Sequence, residues 1–271
     1  MKTRIISGVV FVIVLAIAFF LTPPFVTLIT VALMSVLASY ELLYTTGLVR
    51  NVRLNLYSAI MAILIVLGSY FDAYHLALPA ILLYWVLLFS EVLLSSGKLP
   101  VQQLGYCLMS GLMVPFFLAA MVRIRIMQTS TYLMFIPFIM AFCSDTGAYF
   151  IGVFFGKHKM CPNISPKKSW EGFVGGIAIA VLGMIVYGLI LNCVMGYQVR
   201  LALAVVYGLV GSVASVFGDL MMSCIKRQTG IKDYGKLIPG HGGILDRFDS
   251  VLITAPLTEA LLLLIPMVIK K

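Results

Sequence analysis

Apolar residues run along this chain in long stretches broken by short polar ones, and nine such stretches stand at 5–21, 25–44, 54–71, 76–94, 104–122, 131–152, 172–192, 201–222 and 250–269. Each is close to the roughly 20 residues that a helix needs to cross a bilayer. A helix satisfies its own backbone N–H and C=O groups in hydrocarbon, so the pattern predicts an all-α integral membrane protein with nine transmembrane helices. The first run follows Lys2 and Arg4 in the manner of a signal peptide. It lacks a small-residue cleavage site and leads through Pro23 and Pro24 into the next span, so it is expected to be retained. No repeat of fixed period, low-complexity tract or long linker interrupts the series. Spans one to five carry no chemical motif and are taken as an amino-terminal region, residues 1–128. Residues 129–271 form the expected catalytic region, with polar loops at 153–171 and 223–249.

Charge placement orients these spans. The amino terminus and the loops after spans two, four, six and eight hold fourteen of the nineteen Lys and Arg residues, and the opposite side holds five. Positive loops stay inside, so the amino terminus and the motif loops are expected in the cytoplasm and the carboxyl terminus outside. On this map Glu41, Glu91, Asp145 and Asp219 fall near the cytoplasmic ends of their spans, and Glu171, Asp246 and Asp249 near the starts of spans seven and nine. Lipid exposure of such groups costs roughly 2.5–3.5 kcal/mol or more, which suggests a polar cavity opening to the cytoplasm. For Glu41 and Glu91 snorkelling to the interface is the simpler expectation. Glu259 lies mid-span, where a cavity lining and a subunit contact both stay open. Small residues, Gly172 with Gly176 in span seven and Gly208, Gly211, Ser215 and Gly218 in span eight, are expected at helix contacts.

Composition excludes several classes. With 62% hydrophobic and 11% charged residues the chain lies far from globular proteins, where about a quarter are charged. Its net charge of +9 sits in short loops beside apolar runs, which points to lipid head groups or phosphates and away from nucleic acid. The five cysteines show neither a disulfide framework nor zinc spacing.

The loop at 223–249 reads SCIKRQTGIKDYGKLIPGHGGILDRFD. Lys226, Arg227, Lys232, Lys236 and Arg247 supply cations, and Asp233, Asp246 and Asp249 supply carboxylates. Gly240, Gly242 and Gly243 make a turn whose amides can approach a ligand. Cations, open amides and carboxylates together suit a phosphate-bearing ligand with bound Mg²⁺. A basic loop serving only topology or anionic lipid would explain the cations but not the paired Asp residues and glycines.

This segment resembles the signature of phosphatidate cytidylyltransferases (CDP-diacylglycerol synthases): Ser223, Lys226-Arg227, Lys232-Asp233, Pro239, His241-Gly242-Gly243 and Asp246-Arg247-Phe248-Asp249. A second block is similar too, with Ser144 to Tyr149, Phe155 to Lys159, and Ser165-Pro166-Lys167-Lys168-Ser169-Trp170-Glu171-Gly172. The resemblance is specific over 144–249 and generic before it. Met222 departs, standing where many members carry an acidic residue.

The resemblance implies transfer of a cytidylyl group from CTP to phosphatidic acid, in a bacterial-type inner (plasma) membrane with the site facing the cytoplasm. A second or monovalent cation beside Mg²⁺, and a homodimer, stay open. Asp219, Asp246 and Asp249 are the first metal candidates, with Asp145 next; a helix starting near Leu245 would put Asp246 and Asp249 on one face. Lys226, Arg227, Lys232, His241 and Arg247 are expected to hold phosphates, with Lys167, Lys168, Ser223, Gly242 and Gly243 contributing to substrate binding. A turn role for His241 and an orienting role for Asp233 toward neighbouring cations stay open as alternatives. The phosphate nucleophile is ionised at neutral pH, its second pKa being about 6, so direct in-line attack needs no base. A CTP-dependent lipid (polyprenol-type) kinase, which would need a base and release CDP, and an anion transporter are the alternatives.

Overall fold

The computed structural model describes residues 2–127, 131–237, 240 and 242–269, with side chains from residue 8 to residue 268 among them. In chain order the helices are α1 (Lys2–Ala16), α2 (Pro24–Tyr40), α3 (Val52–Tyr70), α4 (Ala77–Leu94), α5 (Gln102–Leu108) and α6 (Val114–Ile126), followed by α7 (Phe135–Phe155), α8 (Trp170–Cys193), α9 (Leu201–Gln228), α10 (Leu245–Phe248) and α11 (Val251–Leu264). Two small antiparallel ladders accompany them: β1 (Lys159–Cys161) with β2 (Ser165–Ser169), and β3 (Gln198–Val199) with β4 (Val268–Ile269).

Seven helical stretches among the described residues are long and apolar enough to cross a membrane: Pro24–Thr45, Val52–Tyr70, Tyr74–Leu94, Gln102–Ile126, Thr131–Phe155, Trp170–Cys193 and Leu201–Gln228. The chain is thus a helical integral membrane protein. The expected first and ninth spans are present as shorter apolar helices, Gly8–Leu21 and Val251–Leu264. The last one stops where Ile265 leaves the helical conformation (φ −139°, ψ 66°) and Pro266, which has no N–H to donate, follows. The expected eighth span, 201–222, continues as helix to Gln228. Its apolar run ends earlier, but Lys226 and Arg227 suit a helix carboxyl end. Gly230 then takes φ +71°, Ile231 N–H bonds Lys226 C=O and Gly230 N–H bonds Arg227 C=O, a Schellman closure.

The chain divides into two compact units. One comprises Met1–Met127 with Lys226–Phe248, the other Gln128–Ile225 with Asp249–Lys271. In the first unit α2 packs on α3 and α6, and a core that includes Leu43, Leu54, Met61, Tyr84, Leu88 and Cys107 lies among the end of α2, α3, α4 and α5. The Tyr84 hydroxyl is buried but satisfied, donating to Cys107 C=O at 2.8 Å and lying 2.8 Å from Ser58 Oγ. Glu91 does not snorkel: it is buried, accepting from the Tyr57 hydroxyl at 3.1 Å and Arg53 at 3.5 Å.

In the second unit α7 and α8 lie against each other along their lengths. The close approach requires glycine, since a Cβ on Gly176 would sit 2.8 Å from the Ser144 carbonyl oxygen, and one on Gly172 would sit 2.7 Å from that of Ala148. The small residues of α9 meet three partners instead of one: Gly208 faces Val181, Gly211 faces Met140, and Gly218 faces the Asp249–Ser250 backbone. A buried Ser144–Ser212 hydrogen bond of 2.7 Å ties α7 to α9.

Gly176→Val should therefore destabilise the protein by about 1–3 kcal/mol through overpacking. Gly68→Ala, where a Cβ meets nothing within 4 Å, should cost nothing. Thermal unfolding of both variants in detergent checks the contrast.

Candidate active site

The second unit contains a cleft of about 390 Å³ lined by Asp145 and Tyr149 of α7, Ser165, Lys167 and Lys168 of β2, and Asp219 of α9, with small and apolar residues between them. Its geometry begins with a helix start. Ser169 caps α8, its hydroxyl accepting the Gly172 N–H at 3.2 Å. Two residues after the cap, the Glu171 carboxylate accepts the N–H groups of Lys157 (3.1 Å) and His158 (3.2 Å) and lies 2.6 Å from His158 Nδ1. This ties down the base of the β1–β2 hairpin. Lys167 and Lys168 are thereby presented from a strand.

Lys168 Nζ lies 2.5 Å from Asp219 Oδ2. The ammonium is buried and carries three N–H groups, so its pairing with one carboxylate oxygen leaves donors for a further acceptor. Ser223, one turn along α9, donates to Asp219 Oδ1 at 3.2 Å. Asp249 lies within hydrogen-bonding reach of Asp219, and Ser250 Oγ donates to Asp145 Oδ2 at 3.4 Å. Asp145, Lys167, Lys168, Asp219, Ser223 and Asp249 are thus neighbours in one unit. Among the described residues no group of three or more His, Cys, Asp or Glu is placed to hold a metal ion by itself. Mg²⁺ does not need one, because it takes one or two carboxylates, waters and substrate phosphates, and Asp145, Asp219 and Asp249 are hard oxygen donors of that kind. The residues present fit that ion.

The remaining motif residues lie in the first unit. Lys226 ends α9, buried, with Nζ 2.9 Å from Asp246 Oδ1 and above the Tyr234 ring. Asp246 Oδ2 accepts the N–H groups of Tyr234 (2.7 Å) and Gly243 (2.9 Å). The expectation that Asp246 and Asp249 share a helical face does not hold. α10 ends at Phe248, the chain turns through Asp249 and Ser250, and α11 starts at Val251, so the two fall in different units. Asp249 Oδ1 is turned to the Ser250 N–H at 2.8 Å. The glycine turn also differs from expectation, since Gly243 N–H is directed at Asp246 and not outward to a ligand. Gly242 packs on the same carboxylate. Arg227, Lys232, Asp233 and Arg247 are exposed, and His241 and Pro239 lie outside the described residues.

Sequence reasoning missed Glu41. It is buried, and its two oxygens accept Ile244 N–H and Leu245 N–H, each at 2.9 Å, so it does not snorkel. The available signal was an acid four residues before Thr45 at the end of an apolar run, and Thr45 does bond the Tyr234 carbonyl.

Membrane helices that hold a cleft lined by lysines and carboxylates define an integral membrane protein with a polar candidate site. The profile described as the cytidylyltransferase family matches residues 2–265, and the chain belongs to that family. Among similar proteins are three named phosphatidate cytidylyltransferase. That of Staphylococcus saprophyticus is 35% identical over 188 residues, covering 69% of this chain and 70% of the relative. The Haemophilus influenzae protein is 31% identical over 281 aligned positions, covering 94% and 96%. That of Staphylococcus aureus is 30% identical over 266, covering 97% and 99%.

Asp246→Ala should cost about 3–5 kcal/mol, because it leaves a buried ammonium uncompensated. Adding Lys226→Met should cost less than the two single changes summed. A double-mutant cycle by denaturation in detergent measures both.

Proposed function

We propose that this protein transfers the cytidylyl group of CTP to phosphatidic acid, giving CDP-diacylglycerol and pyrophosphate for phospholipid synthesis. The observation that carries the reading, given the family, is the Lys168–Asp219 pair lining a cleft among apolar helices. An acyl-chained phosphate stays at the membrane while a nucleotide arrives from water, so a polar cleft in such helices is a meeting place for them. The lipid phosphate oxygen attacks the α-phosphorus of CTP in line. A new P–O bond forms there, and the bond to the β-phosphate oxygen breaks with its electron pair leaving on pyrophosphate.

Repulsion between two anions is the main barrier. Lys167 and Lys168 reduce it by offering ammonium groups where the phosphates approach. Arg227, Lys232, His241 and Arg247 are assigned to phosphate contacts, and Lys226, Gly242 and Gly243 to shaping the loop that bears them. Asp219, Asp249 and Asp145 would hold Mg²⁺, with Ser223 orienting Asp219. The ion, when bound, neutralises phosphate charge and steadies the departing oxygen. Asp246, whose oxygens are engaged by Lys226 and two amides, is better assigned to holding the loop than to the metal.

Nine membrane helices, a cytoplasmic amino terminus and a cytoplasmic site belong to the same proposal; the count rests on the nine apolar runs and the orientation on the distribution of Lys and Arg. Single cysteines at 167 and 232 should react with an impermeant thiol reagent only after the cells are opened. Labelling of either in intact cells would overturn this orientation.

Purified protein given Mg²⁺, labelled CTP and phosphatidic acid should yield CDP-diacylglycerol and pyrophosphate. Release of CDP would point to a kinase instead. Asp219→Asn should lower kcat by about 100-fold or more and raise the Mg²⁺ requirement, since an amide is a poor ligand for a hard cation. Asp246→Asn should lose activity with no change in that requirement, and Mg²⁺ titration of each variant separates the two roles.

A further inference from the structure

Glu41 lies in the first unit, outside the polar motif loops, and it is 4% exposed. It sits in the wide turn Glu41–Thr45 that continues α2. Three successive amides of the motif loop are held by carboxylates there: Gly243 N–H by Asp246, and Ile244 and Leu245 N–H by the two oxygens of Glu41. Gly235 and Gly243 both press on the Glu41 carboxylate, where any Cβ would collide with it. One turn along, Thr45 Oγ1 donates to the Tyr234 carbonyl, so the two limbs of the loop are fastened to the same end of α2. Lys232 lies two residues before one fastening and Arg247 two residues after the other. Both are exposed.

We propose that Glu41 is a positioning residue, one that touches no substrate but fixes the loop from Lys232 to Arg247 so that its cations meet substrate phosphates. The phosphate half of this statement rests on the function proposed above; the anchoring half does not. A carboxylate suits the position because it accepts from two adjacent amides at once, whereas a glutamine of the same size keeps one acceptor and turns an NH₂ toward the other amide. A loop released in this way keeps its residues but loses their placement, and misplacement of about 1 Å costs up to about 100-fold in rate.

The test uses the full-length protein in detergent, with Glu41→Gln beside Glu91→Gln, whose parent carboxylate bonds Tyr57 and Arg53 and not the loop. Two readouts are taken on protein that elutes as the folded species. The first is the rate of tryptic cleavage at Arg227, Lys232 and Lys236. The second is KM, measured separately for CTP and for phosphatidic acid. Glu41→Gln should be cut several-fold faster in the loop and show KM raised about tenfold or more for at least one substrate, while Glu91→Gln matches wild type in both. A cleavage rate equal to wild type overturns the anchoring. Faster cleavage with both KM values unchanged overturns the positioning role, as does a simple fall in the yield of folded protein with normal KM and normal cleavage. If wild type itself shows no CTP-dependent activity, the proposed function fails, and the cleavage rates still decide whether Glu41 anchors the loop. Should Glu41→Gln yield no folded protein, Thr45→Val, which removes the fastening at Tyr234, carries the same two readouts.

Discussion

A carboxylate among apolar helices is stable only if something replaces the water it has lost. In this protein that constraint explains most of the polar architecture. Asp219 has Lys168 and Ser223, Asp246 has Lys226 and two amides, Glu41 has two amides, and Glu91 has a tyrosine and an arginine. Each arrangement ties together segments that hydropathy alone would leave free to slide past one another. The polar contacts are directional where apolar packing is not, so they set which helix end faces which loop.

The two units use the same chemistry to different ends. In the second, lysines and carboxylates line an open cleft, and Lys168 keeps donor capacity beyond its ion pair. In the first, Lys226, Asp246 and Glu41 are buried, with their oxygens turned to ammonium and backbone donors. An open arrangement can exchange its partners for a ligand's phosphates. A closed one holds shape. The same residue types therefore divide into groups suited to chemistry and groups suited to placement, and exposure separates them where sequence does not.

Local devices carry the motif residues into place. A serine cap and a glutamate at the start of α8 fasten the hairpin that presents Lys167 and Lys168. A glycine-terminated α9 carries Ser223 and Lys226 on helix, in a region that reads as loop because its apolar run has ended. Hydropathy marks where a helix leaves hydrocarbon. It does not mark where the helix ends, which depends on capping and on the next residue able to adopt positive φ.

The sequence by itself determined the helical membrane class, the apolar runs that include the seven long spans, and the glycine contact of α8. These follow from hydrophobic period, length and the rarity of charge in apolar runs, all of which are local properties. Only the tertiary structure decided that Asp246 and Asp249 part company at a turn, that Gly243 spends its amide on Asp246, and that Glu41 and Glu91 are buried. The bond from Glu41 to Ile244 joins residues 203 positions apart. No periodicity or spacing within either segment encodes such a pairing, because it exists only once the helices have packed and the water around the carboxylate has been displaced.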